Sequence, residues 1–222
     1  MKLRLVYSLA LLIASSTLLA AGEVGREFKE SIPASDVRGI DVEIPIAELR
    51  VRNGAPGLIT LEGTIRQKYS GNDQQWAETI VRSTKITSEQ VGDRILIRRA
   101  KGVESKKWKA KTSPARISVT IYVPEKTAIR IEQSIGEIDL DGSFGDIDVD
   151  MKVGEITIRT PKKNIRRLAA RTTIGEVETN LGDRLLTREG ILAGETLYDN
   201  EAGIYDLSAR SRIGEITIDL TP

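Results

Sequence analysis

The chain has 222 residues, 33 basic and 32 acidic, a net charge of +1, and neither cysteine nor histidine. That removes disulfides, Ser-His-Asp and Cys-His catalysis, and the ordinary ligand set for zinc. The near-neutral balance gives no global pull toward nucleic acid, and no nucleic-acid partner is expected.

The chain opens MKLRLVYSLALLIASSTLLAAG. Lys2 and Arg4 form a basic start, an apolar stretch runs from Leu5 to Ala14, and Ala20 and Gly22 supply small residues for cleavage. This is the pattern of a secretory signal peptide over 1–22. The apolar run is short and serine-broken for a membrane span of roughly 20 residues, so membrane contact is expected only through this segment. Taking Lys2 and Arg4 from the 33 basic residues leaves 31 against 32 acidic in the exported chain. Export places it in the periplasm, in the medium or at the cell surface. Without disulfides its stability must come from its core, which suits stacked β-structure. Aromatics make up only 4% of the chain, too few for the girdles of an outer-membrane barrel.

Residues 23–116 read as an N-terminal β region. VEIPIAELRV (42–51) and LITLEGTI (58–65) have strand character, with a turn at Asn53-Gly54-Ala55-Pro56-Gly57. NDQQWAETIVRS (72–83) predicts a short helix, with Asn72 or Asp73 as cap and Trp76, Ile80 and Val81 as its apolar stripe. DRILIRRA (93–100) is again a strand. KGVESKKWKAKTSPA (101–115) reads as a basic protruding loop, and ISVTIYVP (117–124) restores the strand pattern.

Residues 117–222 carry a repeat. IRIEQSIGEIDL, IDVDMKVGEITI, LAARTTIGEVET and LSARSRIGEITI align on Gly136, Gly154, Gly175 and Gly214, with a divergent copy at Gly194. The successive intervals are 18, 21, 19 and 20 residues, a spacing that marks solenoids. Apolar or small residues recur seven, five and one positions before the glycine and two and four after it. The parity of the alternation therefore switches at the glycine, as at a bulge or sharp bend. On this reading the residue before the glycine faces inward and the glutamate after it lies outside the corner. Gly145, half a period along, marks a second candidate corner. Thr187 and Glu189 break the apolar pattern in the Gly194 copy, which predicts a displaced coil. The expected fold is all-β: a single-stranded β-solenoid of about 18–21 residues per coil, continuous with the N-terminal region, with one short helix near 72–83.

The order of signal peptide, strands, short helix, GDRILI, ISVTIYVPEKTAIRI and recurring IGEI resembles the DUF4097-type putative adhesins, toast-rack-like β-solenoids of the bacterial envelope. The resemblance spans roughly 38–220 and rests on the glycines and the Val123-Pro124 step. It implies an exported, adhesin-like protein and supplies no catalytic residues.

Three surfaces remain as candidates. Glu137, Glu155, Glu176 and Glu215 stack at one corner about 4.8 Å apart on adjacent coils, near an acidic patch of Asp139, Asp141, Asp146, Asp148 and Asp150. A calcium ion is one reading of that row. The favoured reading is a solvated corner with Lys152, Arg171, Arg210 and Arg212 interleaved between the acids, so no metal or cofactor is expected. Lys106, Lys107, Trp108, Lys109 and Lys111 form a tip for anionic glycans, lipopolysaccharide or headgroups. The chain stops inside its best repeat at ITIDLTP, which leaves an open coil edge for a homodimer or an added strand. The expected function is a non-catalytic, adhesin-like interaction module that binds an envelope protein or glycan. The alternatives are a polysaccharide-binding or carboxylate-dependent glycan-processing β-helix, and a periplasmic structural or envelope-stress signalling partner.

Overall fold

Alternating sequence becomes strand. In β7 (Arg116–Val123) Ile117, Val119, Ile121 and Val123 are buried, and none of the residues between them is. The computed structural model describes residues 21–100, 115–182, 185–190 and 194–222. Residues 1–20 of the expected signal peptide (1–22) and the expected tip at Lys106, Lys107, Trp108, Lys109 and Lys111 lie outside them. The described chain is all-β apart from helix α1 (Gln74–Ser83) and a 3-10 turn at Lys162–Asn164.

Four long strands carry the glycine phrase: β8 (Ala128–Asp141), β9 (Ile147–Pro161), β10 (Ile165–Asn180) and β13 (Tyr205–Thr221). They lie parallel and in register, so that Gly136 pairs with Gly154, Gly154 with Gly214, and Gly214 with Gly175. Each strand bends at its glycine into two arms. The buried positions lie seven, five and three residues before the glycine and two and four after it: Ile129, Ile131, Gln133, Ile138 and Leu140 in β8, and Leu207, Ala209, Ser211, Ile216 and Ile218 in β13. The two arms enclose one core between them.

The order of the column, 136-154-214-175, corrects the expectation that the copies stack in chain order. After β10 the chain doubles back as β11 (Leu185–Gly190) and β12 (Gly194–Asp199). These lie antiparallel along the second and first arms of β10. β13 then inserts between β9 and β10. Gly194 is therefore not in the column; it opens β12 opposite Thr172. β13 has a neighbour on each side, so the C-terminal strand is not the open edge that was expected to support a homodimer.

The N-terminal region continues the same sheet. The expected strand over 42–51 is broken at Ile44-Pro45 into β2 (Gly39–Glu43) and β3 (Ile46–Asn53), which pair with the first and second arms of β8. Proline lacks the N–H a continuous ladder needs. β6 (Arg94–Arg99) pairs with β2, and β5 (Ile86–Val91) with β6. On the other arm β7, β4 (Leu58–Ser70) and β1 (Ala21–Pro33) follow β3 outward. The helix packs on β1 and β4, burying Ala77 and Val81. Its expected cap, Asp73, is in place without a side-chain hydrogen bond. At the other end Arg26 of β1 donates to the carbonyls of Val81 (3.2 Å) and Thr84 (2.6 Å), a favourable place for a cation.

The turn after β8 carries the chain from the end of one rung to the start of the next, and Phe144 within it is fully buried. Gly145 lies there, where its N–H donates to the Thr127 carbonyl. Asn53 holds the turn through Ser143, accepting from its N–H at 2.6 Å and donating to its carbonyl at 3.3 Å.

On the antiparallel face of β4 the Tyr122 hydroxyl donates to Glu62 Oε1 at 3.0 Å, and Lys29 Nζ lies 3.2 Å from Oε2. Tyr122 first, then Lys29, holds the Glu62 carboxyl below its ordinary 4.5. A carboxyl whose pKa is lowered by folding stabilises the fold above its unfolded pKa, and that contribution disappears as pH falls through the folded value. Glu62→Gln is therefore expected to flatten the fall of melting temperature below about pH 4.5. Parallel acid limbs for the two proteins would refute this.

Candidate functional site

The corner is built by the glycines. Gly136, Gly154, Gly175 and Gly214 have φ of 139°, 140°, 133° and 141°, a region that is essentially glycine-only. A methyl group on any of them would overlap the backbone carbonyl of the neighbouring rung. The bend aims carbonyls at the interior, and in two of the four copies the side chain three residues before the glycine donates to them; the corresponding Ser211 Oγ of β13 is buried with no hydrogen-bond partner among the described residues. Gln133 Nε2 donates to the carbonyls of Ala47 (2.7 Å) and Ile135 (3.0 Å). Thr172 Oγ1 shares its one proton between those of Ile174 (3.2 Å) and Gly214 (3.3 Å). Gln133→Leu keeps the volume and removes both bonds; it is expected to cost about 1–3 kcal/mol in urea unfolding. No measurable loss would show that the two bonds contribute no more than the buried Gln133 Oε1, unpartnered among the described residues, costs.

With the interior of the corner occupied by those side chains, the apolar residue just before each glycine is turned out. Ile135, Val153, Ile213 and Ile174 are 49%, 40%, 42% and 47% exposed. The expectation that they face inward is corrected. The parity switch is there, but it falls between positions −3 and +2, and positions −2 to +1 fan around the outside of the bend. The register places the four in one column on β8, β9, β13 and β10, and the half-buried Ile46 of β3 extends it. Among the described residues this is a continuous exposed apolar ridge along the outer corner.

The ridge has an acidic flank. Glu48, Glu137, Glu155, Glu215 and Glu176 follow one another across the rungs. Among the described residues none of the five forms an ion pair; Glu215 Oε1 accepts a 3.4 Å hydrogen bond from Thr217. The expected interleaving with basic residues is not found. Arg210 instead binds Asp148 (2.8 Å) and Asp150 (3.3 Å) on the first arm. On the other flank, two residues before the glycines, stand Ser134, Lys152, Arg212 and Thr173. Lys152 and Arg212 are exposed on the adjacent strands β9 and β13.

Beyond that flank lies an open polar groove of about 460 Å³, lined by Arg130, Glu132, Asp148, Asp150, Lys152 and Arg210 among others. Three of its acids are tied to arginines: Arg130 Nη2 lies 2.8 Å from Glu132 Oε1, and Arg210 holds both aspartates. Among the described residues no three acids converge as metal ligands, and no helix is long and apolar enough to cross a membrane.

Four of the six predicted corner glycines are thus brought together, while Gly145 and Gly194 lie elsewhere. The exposed apolar column was missed because an apolar residue at strand spacing reads as core. The one available signal was the polar or small residue at −3 in three copies, Gln133, Thr172 and Ser211, which marks the last inward position.

No family model matches the chain, and no curated protein matches it significantly. Among solved structures, a putative cell adhesion protein from Clostridium sporogenes is 16% identical, with a TM-score of 0.49 over 89% of this chain and 100% of that one. A putative adhesin from Bacteroides fragilis is 11% identical, with a TM-score of 0.30 over 88% of this chain and 97% of that one. A putative lipid binding protein from Parabacteroides distasonis is 10% identical, with a TM-score of 0.23 over 88% and 97%. Likeness at this level assigns no function.

Proposed function

We propose that this is an exported bacterial envelope protein of the DUF4097-type, adhesin-like kind, a non-catalytic interaction module whose short solenoid-like block presents the outer corner as its contact surface. The observation that carries the reading is the apolar ridge. Four branched aliphatic side chains, each 40% or more exposed, lie in register on a rigid parallel ladder. A contiguous exposed apolar patch rimmed by polar residues is often a site of interaction. Backbone hydrogen bonding holds the ridge in place, so little ordering entropy is lost on contact. The basic start and apolar stretch of residues 1–22 support export.

The test is retention of the purified protein on bacterial envelopes prepared from cells lacking its gene and from cells that express it. Wild type is compared with Ile135→Ser combined with Ile213→Ser. Severalfold lower retention of the variant on either envelope supports the reading. Equal retention of the two proteins on both overturns it.

A further inference from the structure

The order across the ridge is acid, apolar, base. On β9 it reads Glu155, Val153, Lys152, and on β13 Glu215, Ile213, Arg212. Two-fold symmetry acts differently on such a surface depending on where its axis lies. An axis parallel to the column keeps each rung at its own height and reverses left and right. A second copy then sets its Lys152 against Glu155 and its Arg212 against Glu215, and receives the reciprocal pairs. An axis along the strands sets glutamate row against glutamate row, with five unpaired carboxylates on each side. Like charges in register across a contact are strongly unfavourable.

We infer that the ridge is a self-recognition surface: two copies of this chain associate ridge to ridge about a two-fold axis parallel to the glycine column. This rests on the reading of the ridge as a contact surface and names its partner. The interface is isologous, the same patch on both copies. Apolar side chains lie at its centre, and the ion pairs lie at its solvated rim. The column from Ile46 to Ile174 spans roughly 19 Å at the usual strand spacing, and a convex corner buries less area than a standard interface of about 800 Å² per partner. The association is therefore weak and reversible, and salt weakens it because the rim pairs are exposed.

The test is a charge swap read by sedimentation velocity from micromolar to millimolar protein. One variant carries Lys152→Glu with Arg212→Glu, the other Glu155→Lys with Glu215→Lys. Wild type is expected to dimerise at low salt. Each variant alone is expected to dissociate about tenfold more readily or worse, because like charges then face each other across the axis. An equimolar mixture of the two restores association, since every rim pair is again opposite in sign. Wild type that stays monomeric throughout, or a mixture no better associated than either variant alone, overturns the inference. Circular dichroism confirms that each variant is folded. Because this assay contains only the purified protein, a monomeric result leaves the retention test on gene-deleted envelopes to decide whether the ridge binds something else.

Discussion

Gly214→Ala is expected to lower the free energy of unfolding by more than about 3 kcal/mol, a large share of the roughly 5–15 kcal/mol that holds an ordinary domain together. Two costs combine. The backbone at Gly214 has a φ of 141°, which a side-chain-bearing residue adopts only at about 1–3 kcal/mol. The new methyl also meets the carbonyl oxygen of Gly154 on the adjoining strand. Relieving that overlap means separating β13 from β9 in the middle of the parallel ladder, because the obstacle is backbone and cannot swing aside. Gly57→Ala is the control. Gly57 also has a positive φ, 70°, but nothing lies within 4 Å of the position a methyl would take, so only a left-handed penalty of about 1–2 kcal/mol applies. Urea unfolding of the two variants separates the contributions. If Gly214→Ala proves no worse than Gly57→Ala, the close approach of rungs at the corner is not a constraint on the fold.

Ile216→Ser is expected to cost about 3–5 kcal/mol, and Ile213→Ser under about 1 kcal/mol, although the two isoleucines stand three residues apart in the phrase RIGEITI. Ile216 is fully buried, while Ile213 is 42% exposed. Truncating the first opens a cavity between the arms and places a hydroxyl there without a partner. Truncating the second removes a side chain that is already half in water. The same contrast applies to Ile138 against Ile135 on β8. Chemical denaturation with matched m-values tests it. Equal losses at the two positions would mean that the residue before the glycine is core after all. The predicted tolerance of Ile213→Ser is also what makes it usable in the envelope retention test, since a binding loss there is not a folding loss.

Much of this architecture is written locally. Strand character follows from alternation, and it is correct along 117–123, 129–140 and 147–158. The helix at 74–83 follows from its turn and apolar stripe. The shared spacing of IGEI phrases announces a corner at Gly136, Gly154, Gly175 and Gly214, because only glycine tolerates that backbone. The sequence was less clear about the turned-out aliphatic residues. Ile135, Val153, Ile174 and Ile213 have the composition of core, and their exposure depends on where within the bend the inward face ends. That is settled by the carbonyls of the neighbouring rung and by the Gln133 and Thr172 side chains that meet them.

Local residue pattern thus determines that this chain is a β-protein with glycine corners and a glutamate beyond each of them, since conformational preference and alternation are properties of short segments. Three features were decided only when the chain closed on itself: the rung order β8-β9-β13-β10, the burial of the C-terminal strand between two others, and the lining up of the aliphatic ridge between acid and base. Each depends on which strand lies beside which. Copies of nearly the same phrase can pair in any order with similar backbone energy, so the choice falls to contacts made between residues far apart in the chain.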